Sequence, residues 1–288
     1  MFNPMTEISS IPIGIMQGRL VPHYNDRYQS FPLPYWKDEF QLAAKLGFNA
    51  IEFIFDIENF EDSPLITLQG HRDVRELKDC TGVSVYSVCA DYFMRFPMFS
   101  DDALVAQYSE DMLMRLLENA DLLGICDITI PCVDESSLKT VAQKDALRDA
   151  ILRVLGRSAG STVNVNLETD MGPSEFGQYV KEFDHPRIKV NYDIGNSAAL
   201  GYNPDEELSE YGKHVSVLHI KDRLLNGGSV KLGSGNANFK KVFTRLKNDD
   251  FNGIIIMQAA RAATYDEELA FVAEQFAFLN SCLKRWFN

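Results

Sequence analysis

The stretch Val215-Ser-Val-Leu-His-Ile-Lys-Asp-Arg223 displays most clearly the pattern on which this chain is built. It starts with a short run that is apolar on nearly every residue, Val215–Leu218, and the polar residue His219 follows at once. Such a run is typical of a strand that is buried on both faces, as in a parallel sheet. A polar residue ends an apolar run in the same way at three further positions, Glu168, Asp193 and Gln258.

These four polar positions predict a metal site. The parallel strands of a barrel all end on one side, so we expect the four side chains to converge on one mouth. Two carboxylates, an imidazole and an amide oxygen form a suitable cage for a divalent metal ion. The predicted ligands are Glu168, Asp193, His219 and Gln258. Mixed oxygen and nitrogen ligands suit several ions, so Mn²⁺, Mg²⁺, Co²⁺ and Zn²⁺ all remain open.

Short apolar runs alternate eight times with longer amphipathic stretches. The predicted strands are Ile13–Met16, Ala50–Phe53, Val83–Cys89, Ile125–Ile130, Val163–Leu167, Ile188–Tyr192, Val215–His219 and Ile254–Met257. Strict alternation implies parallel strands joined by helical crossovers. Eight such units at this length favour an α/β fold with a closed (β/α)8 TIM barrel over an open, doubly wound sheet. No linker or compositional break divides the chain, so we expect a single domain over residues 1–288.

Composition narrows the classes of partner. The chain has 288 residues and a formal net charge of −13, which argues against a nucleic-acid backbone as a partner. No apolar run approaches the roughly 20 residues of a membrane span, and the first residues lack the pattern of a signal peptide. The sequence contains neither a GxGxxG nor a Walker motif, so it gives no indication of a nucleotide-binding site. We therefore expect a cytoplasmic protein without a membrane or nucleic-acid partner.

Charged residues near the strand ends are candidates for contact with a substrate. Glu52 lies inside the second predicted strand, where it would contact substrate or pair with a cation, since unpaired burial is costly. Arg19, Arg223 and Arg261 follow predicted strands, and each could clamp a phosphate or carboxylate or simply remain a solvated loop charge. Lys221 could stabilise an oxyanion and Asp222 could act as a second acid or base, unless the two form a local salt bridge.

Three segments give the chain a family resemblance. Leu167-Glu-Thr169, Tyr192-Asp-Ile-Gly-Asn196 and Leu218-His-Ile-Lys-Asp-Arg223 resemble the sugar phosphate isomerase/epimerase group, the xylose isomerase-like TIM barrels. Lys231-Leu-Gly-Ser-Gly235 is similar to the loop after the seventh strand of that group. The similarity covers nearly the whole chain, and the Asp–Gly–Asn and His–x–Lys–Asp motifs are its specific part. It implies metal-dependent isomerisation or epimerisation of ketoses, aldoses and related polyols, and some relatives are dehydratases.

The resemblance also implies roles for individual residues. Glu168, Asp193 and His219 match three of the four metal ligands of the group, and Gln258 stands where the fourth ligand is normally glutamate. In epimerases of the group, the first and fourth glutamates exchange a proton with opposite faces of one carbon. That pair is incomplete here, because glutamine cannot act as a carboxylate base. Asn196 stands where several epimerases have a histidine near the substrate, and many other members have asparagine there.

Three functions remain open from the sequence. The first is a metal-dependent isomerase or epimerase acting on a sugar, sugar phosphate or related polyol, with Glu168 as the catalytic base next to a carbonyl. The second is a keto-polyol dehydratase, which needs no symmetric pair of bases. The third is a non-catalytic sugar-binding barrel with a degenerate metal site. In each case the partner is a small carbohydrate, and aromatic residues in the last predicted helix, Asp266–Trp286, leave a homo-oligomer open.

Overall fold

The computed structural model describes residues 11–25 and 27–287 of the chain. Its barrel strands are β1 (Ile13–Met16), β2 (Ala50–Ile54), β3 (Ser84–Cys89), β4 (Asp127–Cys132), β5 (Asn164–Thr169), β6 (Ile188–Asp193), β7 (Val215–Ile220) and β10 (Ile254–Met257). These strands are parallel and close on themselves in the order β1-β10-β7-β6-β5-β4-β3-β2. Between β7 and β10, a short antiparallel hairpin is formed by β8 (Asp222–Arg223) and β9 (Ser229–Val230).

Helices connect the successive strands. They are α1 (Asp38–Leu46), α2 (Leu68–Thr81), α3 (Tyr92–Arg95), α4 (Ala103–Leu123), α5 (Val141–Arg157), α6 (Pro173–Glu182), α7 (Ile194–Leu200), α8 (Pro204–Tyr211), α9 (Phe239–Asn248) and α10 (Tyr265–Trp286). Local sequence sets their ends: α1 stops at Gly47, which takes the left-handed conformation with φ of 94°. Thr140 and Gln143 form a capping box at the start of α5. Within the described ranges, no helix is long and apolar enough to cross a bilayer.

The predicted (β/α)8 barrel is confirmed, and most strand bounds agree to within two residues at either end. Strand β4 is the clearest shift, since it runs from Asp127 to Cys132 whereas the prediction ran from Ile125 to Ile130. Asp127 belongs to the strand because its backbone pairs with Ser87 and Asn164, and its buried carboxylate accepts hydrogen bonds from Asn164 and Ser216. The prediction of a single domain extends over residues 1–10, 26 and 288, which lie outside the described residues.

The barrel interior is apolar at some levels and polar at others. A compact apolar cluster consists of Met16, Ala50, Ile54, Cys89, Val217, Ile254 and Ile256. Side chains alternate along a strand, so Glu52 points to the same side of β2 as Ala50 and Ile54. By the same alternation, His219 shares the face of Val217 on β7. Glu52 and His219 are fully buried. The barrel interior therefore contains ionisable groups near the carboxyl ends of the strands.

A buried carboxyl also fixes the turn after β1. Glu39 on α1 is almost fully buried, and its Oε1 accepts a hydrogen bond of 2.7 Å from the backbone N–H of Gly18. Its Oε2 has no hydrogen-bond partner among the described residues. Burial raises the pKa of Glu39 to about 8, despite the opposing effects of backbone N–H groups and nearby arginines. The folded protein therefore holds this proton up to a pH at which the unfolded chain has lost it.

We predict that Glu39→Gln stabilises the protein increasingly as the pH rises from about 4.5, the ordinary pKa, to about 8. Over this window the wild type loses stability with rising pH, because its folded state binds more protons than its unfolded state. The gain should reach a few kcal/mol, since each pKa unit is worth about 1.4 kcal/mol. Urea unfolding at several pH values measures it, with the exposed Glu76→Gln as control. Parallel pH profiles for Glu39→Gln and wild type would contradict the prediction.

Candidate active site

Glu168 is the buried carboxylate at the end of β5, and two amides hold it in one orientation. Asn191 donates from Nδ2 to Oε2 over 2.8 Å, and Asn196 donates from Nδ2 to Oε1 over the same distance. Burial raises the pKa of Glu168, and the neighbouring charge of Asp193 raises it further. The carboxylate is thus positioned without an ion pair of its own.

Asp193 ends β6 and caps helix α7. Its Oδ1 accepts hydrogen bonds of 2.9 Å from the backbone N–H groups of Gly195 and Asn196. Its Oδ2 accepts from the ammonium of Lys221 at 2.6 Å. Burial alone would raise the pKa of Asp193, but the charge and hydrogen bond of Lys221, together with His219, lower it below the ordinary value. Two adjacent carboxyls therefore have pKa values that are shifted in opposite directions.

His219 ends the apolar run of β7 and meets Glu52 inside the barrel. Its Nε2 lies 2.6 Å from Oε2 of Glu52, and both side chains are fully buried. Its Nδ1 lies 3.1 Å from the amide nitrogen of Asn191. Burial lowers the pKa of His219, but the negative charges of Glu52, Glu168 and Asp193 outweigh it and raise that pKa. The structure thus gives the buried carboxylate of Glu52 a partner within the protein, the imidazole of His219.

Asn196 joins the two carboxylates to the cations at the mouth. While its amide nitrogen donates to Glu168, its Oδ1 accepts from Arg223 at 2.9 Å and from Lys221 at 3.5 Å. Arg223 also donates from Nε to the carbonyl of Gly227, which anchors its side chain on the β8–β9 hairpin. The structure therefore brings Asn196, Lys221 and Arg223 together beside Glu168, and their predicted contact with a substrate stays a prediction.

A cavity of about 710 Å³, including its open mouth, lies beside this network. It is lined by Val133, Asp134, Thr169, Asp170, Asn196, Ala199, Leu200, Arg223 and Asn226. A smaller recess reaches Glu168 and Asp193, and it shares Thr169, Asn196 and Leu200 with the larger cavity. A ligand in the large cavity would therefore be separated from Glu168 only by Asn196 and its neighbours.

Gln258, the predicted fourth ligand, follows β10 next to β7 and is buried. Its Nε2 donates to Oε1 of Gln29 at 2.9 Å, whereas its own Oε1 has no hydrogen-bond partner among the described residues. In residues 11–25 and 27–287, no three His, Cys, Asp or Glu side chains are arranged to hold a metal ion. In this conformation, Lys221 contacts the carboxylate of Asp193, and Asn191 and Asn196 contact that of Glu168. Metal binding stays a prediction.

The donor chemistry itself fits a divalent ion. Carboxylate oxygens, an imidazole nitrogen and an amide oxygen suit Mn²⁺, Mg²⁺ or Zn²⁺. The buried Oε1 of Gln258 is available to a ligand because no described group hydrogen-bonds to it. Glu52 holds the Nε2 side of His219, and a carboxylate on the outer nitrogen is the usual way to orient a metal-binding imidazole.

Two predicted substrate-binding arginines have structural contacts instead of lining the cavity. Arg19 is buried and donates to the carbonyls of Ala259 and Tyr28, each at 3.3 Å. Arg261 is also largely buried, donates to the carbonyl of Val21 at 2.6 Å and pairs with Glu268 at 3.3 Å. Both arginines thus tie the loop after β1 to the segment after β10. A phosphate or carboxylate on the substrate would have to displace these bonds to reach either guanidinium.

Asp222 also has a structural environment. Its carboxylate is fully buried and accepts backbone hydrogen bonds from Gly233, Gly235 and Ala237 at 2.8–3.0 Å. The fit at Gly235 is close, because a Cβ there would lie 2.2 Å from Oδ1 of Asp222. The side chain fixes the loop after the hairpin and makes no described contact with the cavity. This arrangement differs from the acid–base role predicted for Asp222, and from the alternative salt bridge with Lys221.

Sequence reasoning missed three residues that complete the site. Asn191 lies within the apolar run of β6, two positions before Asp193, and strand alternation could have identified it. Gln29 and Asp91 lie in long loops that have no periodic signal. Their hydrogen bonds to Gln258 and to each other depend on folding of the whole barrel.

Comparisons with known proteins identify a family and related folds. Residues 40–275 match the model of the family described as xylose isomerase-like TIM barrel. L-ribulose-5-phosphate 3-epimerase UlaE of Escherichia coli O1:K1 is 26% identical over 237 residues, covering 77% of this chain and 81% of that protein. The crystal structure of D-psicose 3-epimerase in the presence of D-fructose has a TM-score of 0.75 at 14% identity, covering 95% and 99% of the two chains.

A further structural neighbour carries a metal. The xylose isomerase-like TIM barrel protein from Mycobacterium smegmatis in complex with magnesium has a TM-score of 0.71 at 15% identity, covering 99% of this chain and all of the other. At this identity the likeness concerns the fold alone. The resemblance inferred from the sequence motifs is confirmed by the family model.

We predict that Asp222→Asn destabilises the protein by about 1–3 kcal/mol, because an amide cannot accept from all three backbone donors that the carboxylate satisfies. Urea unfolding measures the loss, and hydrogen exchange should become faster at Gly233, Gly235 and Ala237. The exposed Asp250→Asn is the matched control. Full stability of Asp222→Asn combined with loss of turnover would instead favour a chemical role for Asp222.

Proposed function

The chain belongs to the xylose isomerase-like TIM barrel family, and from this membership we propose that it is a sugar epimerase or isomerase. The observation that carries the proposal is the network around Asn196, which links a buried carboxylate to an ammonium and a guanidinium. A base next to cationic hydrogen-bond donors is what proton removal beside a carbonyl requires. The L-ribulose-5-phosphate 3-epimerase among the relatives supports the same reaction class.

Glu168 is the base in this proposal. It removes the proton from the carbon next to the substrate carbonyl, the C–H electrons form a carbon–carbon double bond, and the carbonyl oxygen becomes an enediolate oxyanion. Lys221 and Arg223 are the nearest cations of the network, and they stabilise the oxyanion by donating hydrogen bonds. Return of a proton to the opposite face gives the epimer, and return to the adjacent carbon gives the isomer.

We further propose that Glu168, Asp193, His219 and Gln258 hold one divalent metal ion when it is supplied. The ion would polarise the substrate carbonyl as a Lewis acid. The donor chemistry and the unpartnered Oε1 of Gln258 support this assignment. Binding requires Lys221 to give up its contact with Asp193, after which its ammonium is free to face the substrate.

The charges around the large cavity favour a sugar without a phosphate group. One guanidinium, that of Arg223, lines it together with the carboxylates of Asp134 and Asp170. A phosphate dianion would meet net negative charge there, whereas hydroxyl groups can both donate to carboxylates and accept from Arg223. Free ketoses are therefore the first substrates to test, each next to its phosphate ester.

We predict that Glu168→Gln abolishes exchange of a carbon-bound substrate proton with solvent deuterium, starting from the epimer whose proton faces Glu168. The loss should be about 10²-fold or more, the usual contribution of a general base. NMR of ketose pairs such as D-fructose and D-psicose in D₂O measures the exchange.

The control variant is Glu182→Gln, which removes the same charge from an exposed position outside the site. Circular dichroism should find Glu168→Gln folded. Unchanged exchange from both epimers would eliminate Glu168 as the base. A dehydrated product from the wild type would favour the dehydratase, and saturable sugar binding without exchange would favour the binding protein.

We predict that Lys221→Met raises the affinity for Mn²⁺ about tenfold or more, which is about 1.4 kcal/mol. The reason is that the metal no longer competes with the ammonium for Oδ2 of Asp193. Isothermal titration calorimetry of the metal alone measures the change, with the exposed Lys213→Met as control. Equal Mn²⁺ affinity in Lys221→Met and wild type would show that Asp193 is not a ligand.

A further inference from the structure

Asp91 is a second carboxyl at the barrel mouth that the proposed reaction has not yet used. It follows β3, and the hydrogen bond from the N–H of Ala90 to the carbonyl of Thr129 continues the β3–β4 pairing up to this point. Cys89 is paired with Thr129, so Asp91 reaches the level of Pro131, two residues further on β4, which is paired with Glu168 on β5. Asp91 and Glu168 thus lie at about the same level, two strands apart, with their Cα atoms separated by about 10 Å along the wall.

The carboxyl of Asp91 lies over the barrel interior. Its Oδ1 accepts a hydrogen bond of 3.2 Å from the thiol of Cys89, which belongs to the apolar cluster inside the barrel. Burial raises the pKa of the Cys89 thiol, and the charges of Asp91, Glu52 and Glu168 raise it further. The thiol therefore contacts Asp91 directly and is influenced by the charge of Glu168, which ends a different strand.

A chain of amides fixes the other oxygen of Asp91. Gln29 donates from Nε2 to Oδ2 of Asp91 at 2.9 Å, and its Oε1 accepts from Gln258 at 2.9 Å and from Arg19 at 3.2 Å. Because Gln258 and Arg19 both donate hydrogen bonds to the side-chain oxygen of Gln29, its amide has a single possible orientation, in which the NH₂ group faces Asp91. Glutamate at position 258 could not donate to Gln29. The amide of Gln258 thus acts, through Gln29, on the position of Asp91.

Asp91 can also be reached from solvent. It is partly exposed and lines a cavity of about 700 Å³ together with Arg27, Asp56, Glu58, Arg95 and Glu135 among others, and this cavity shares no lining residue with the one beside Asn196. Burial is the main cause that raises the pKa of Asp91, with the hydrogen bond from Gln29 opposing it. Its partners are a neutral amide and a thiol. By contrast, Asp56 in the same cavity is paired with Arg27 at 2.6 Å.

We propose that Asp91 is the second acid–base residue of this site and exchanges a proton with the face of the substrate carbon opposite to Glu168. This inference rests on the proposed function, and it makes epimerisation the reaction. It accounts for the glutamine at position 258, because the carboxylate missing there is replaced by that of Asp91, which follows β3. Gln29 and Gln258 are positioning residues in this arrangement.

The proton balance of the step is complete. In one direction, Glu168 takes the proton from carbon, the enediolate forms, and protonated Asp91 donates its proton to the other face as the carbonyl is restored. The cycle leaves Glu168 protonated and Asp91 ionised. Exchange with solvent through the mouth then returns both groups to their starting states. In the reverse direction, Asp91 is the base and Glu168 the acid.

Exchange of the carbon-bound proton for solvent deuterium, measured from each epimer separately, tests the proposal directly. The probes are ketopentoses and ketohexoses that differ at the carbon next to the carbonyl, such as D-fructose with D-psicose and L-ribulose with L-xylulose, each in D₂O and with Mn²⁺ present. For the pair that the wild type converts fastest, each epimer is given separately to wild type, Asp91→Asn and Glu168→Gln. The exposed Asp101→Asn is the matched control and should behave as wild type.

We expect mirror-image results. Asp91→Asn should convert both epimers at least about 10²-fold more slowly, yet still exchange deuterium into the epimer whose proton faces Glu168. Glu168→Gln should exchange only the other epimer. Conversion at wild-type rates by Asp91→Asn would overturn the inference alone, as would loss of exchange from both epimers in folded Asp91→Asn. A wild type that neither exchanges nor converts any ketose of the panel would overturn the proposed function itself.

Discussion

Closure of the barrel between β1 and β10 is the constraint on which the site depends. The pairing of Ile15 with Met257, and of Met16 with Glu52 on the next strand, fixes the level at which each strand reaches the mouth. Only in a closed ring does Glu52 on β2 come within 2.6 Å of His219 on β7, since three strand-to-strand steps separate them. A slip of one residue would turn every interior side chain of a strand to the outside.

The buried charges are compensated by the protein itself. Glu52 pairs with His219, Asp193 pairs with Lys221, and Glu168 takes its two hydrogen bonds from amides. Desolvated charges are tolerated only with such partners. A ligand or metal ion entering the site therefore has to replace bonds that already exist. Its net affinity depends on the difference between the new contacts and the old ones.

The sequence predicted the architecture and the centre of the site because both follow from local patterns. Apolar runs ended by polar residues identify Glu168, Asp193 and His219, and parallel topology then requires them to meet. The same reasoning assigned Asp222 and Arg261 to the substrate, whereas both make buried contacts with distant backbone. A strand-end position predicts proximity to the mouth, but it does not predict which backbone groups need a partner.

Asp91 was beyond the reach of pattern analysis for a related reason. Its position depends on hydrogen bonds with Gln29 and, through Gln29, with Gln258. Gln29 is 62 residues from Asp91 in the chain, and Gln258 is 229 residues from Gln29. Such separations carry no periodic signal, and the register of eight strands has to be known before the contact can be inferred. For Glu52, the sequence predicted only that its buried carboxylate would need a partner. The identity of that partner, His219, required the closed ring.

The amide chain from Gln258 through Gln29 has an evolutionary consequence. Changing residue 258 alone to glutamate would place a carboxylate against the carbonyl of Gln29, and the amide would have to turn its own oxygen towards Asp91. That single replacement would thus pass through an intermediate with two acceptors facing each other. Positions 29, 91 and 258 form one epistatic unit, and a lineage that departs from this arrangement is expected to change them together.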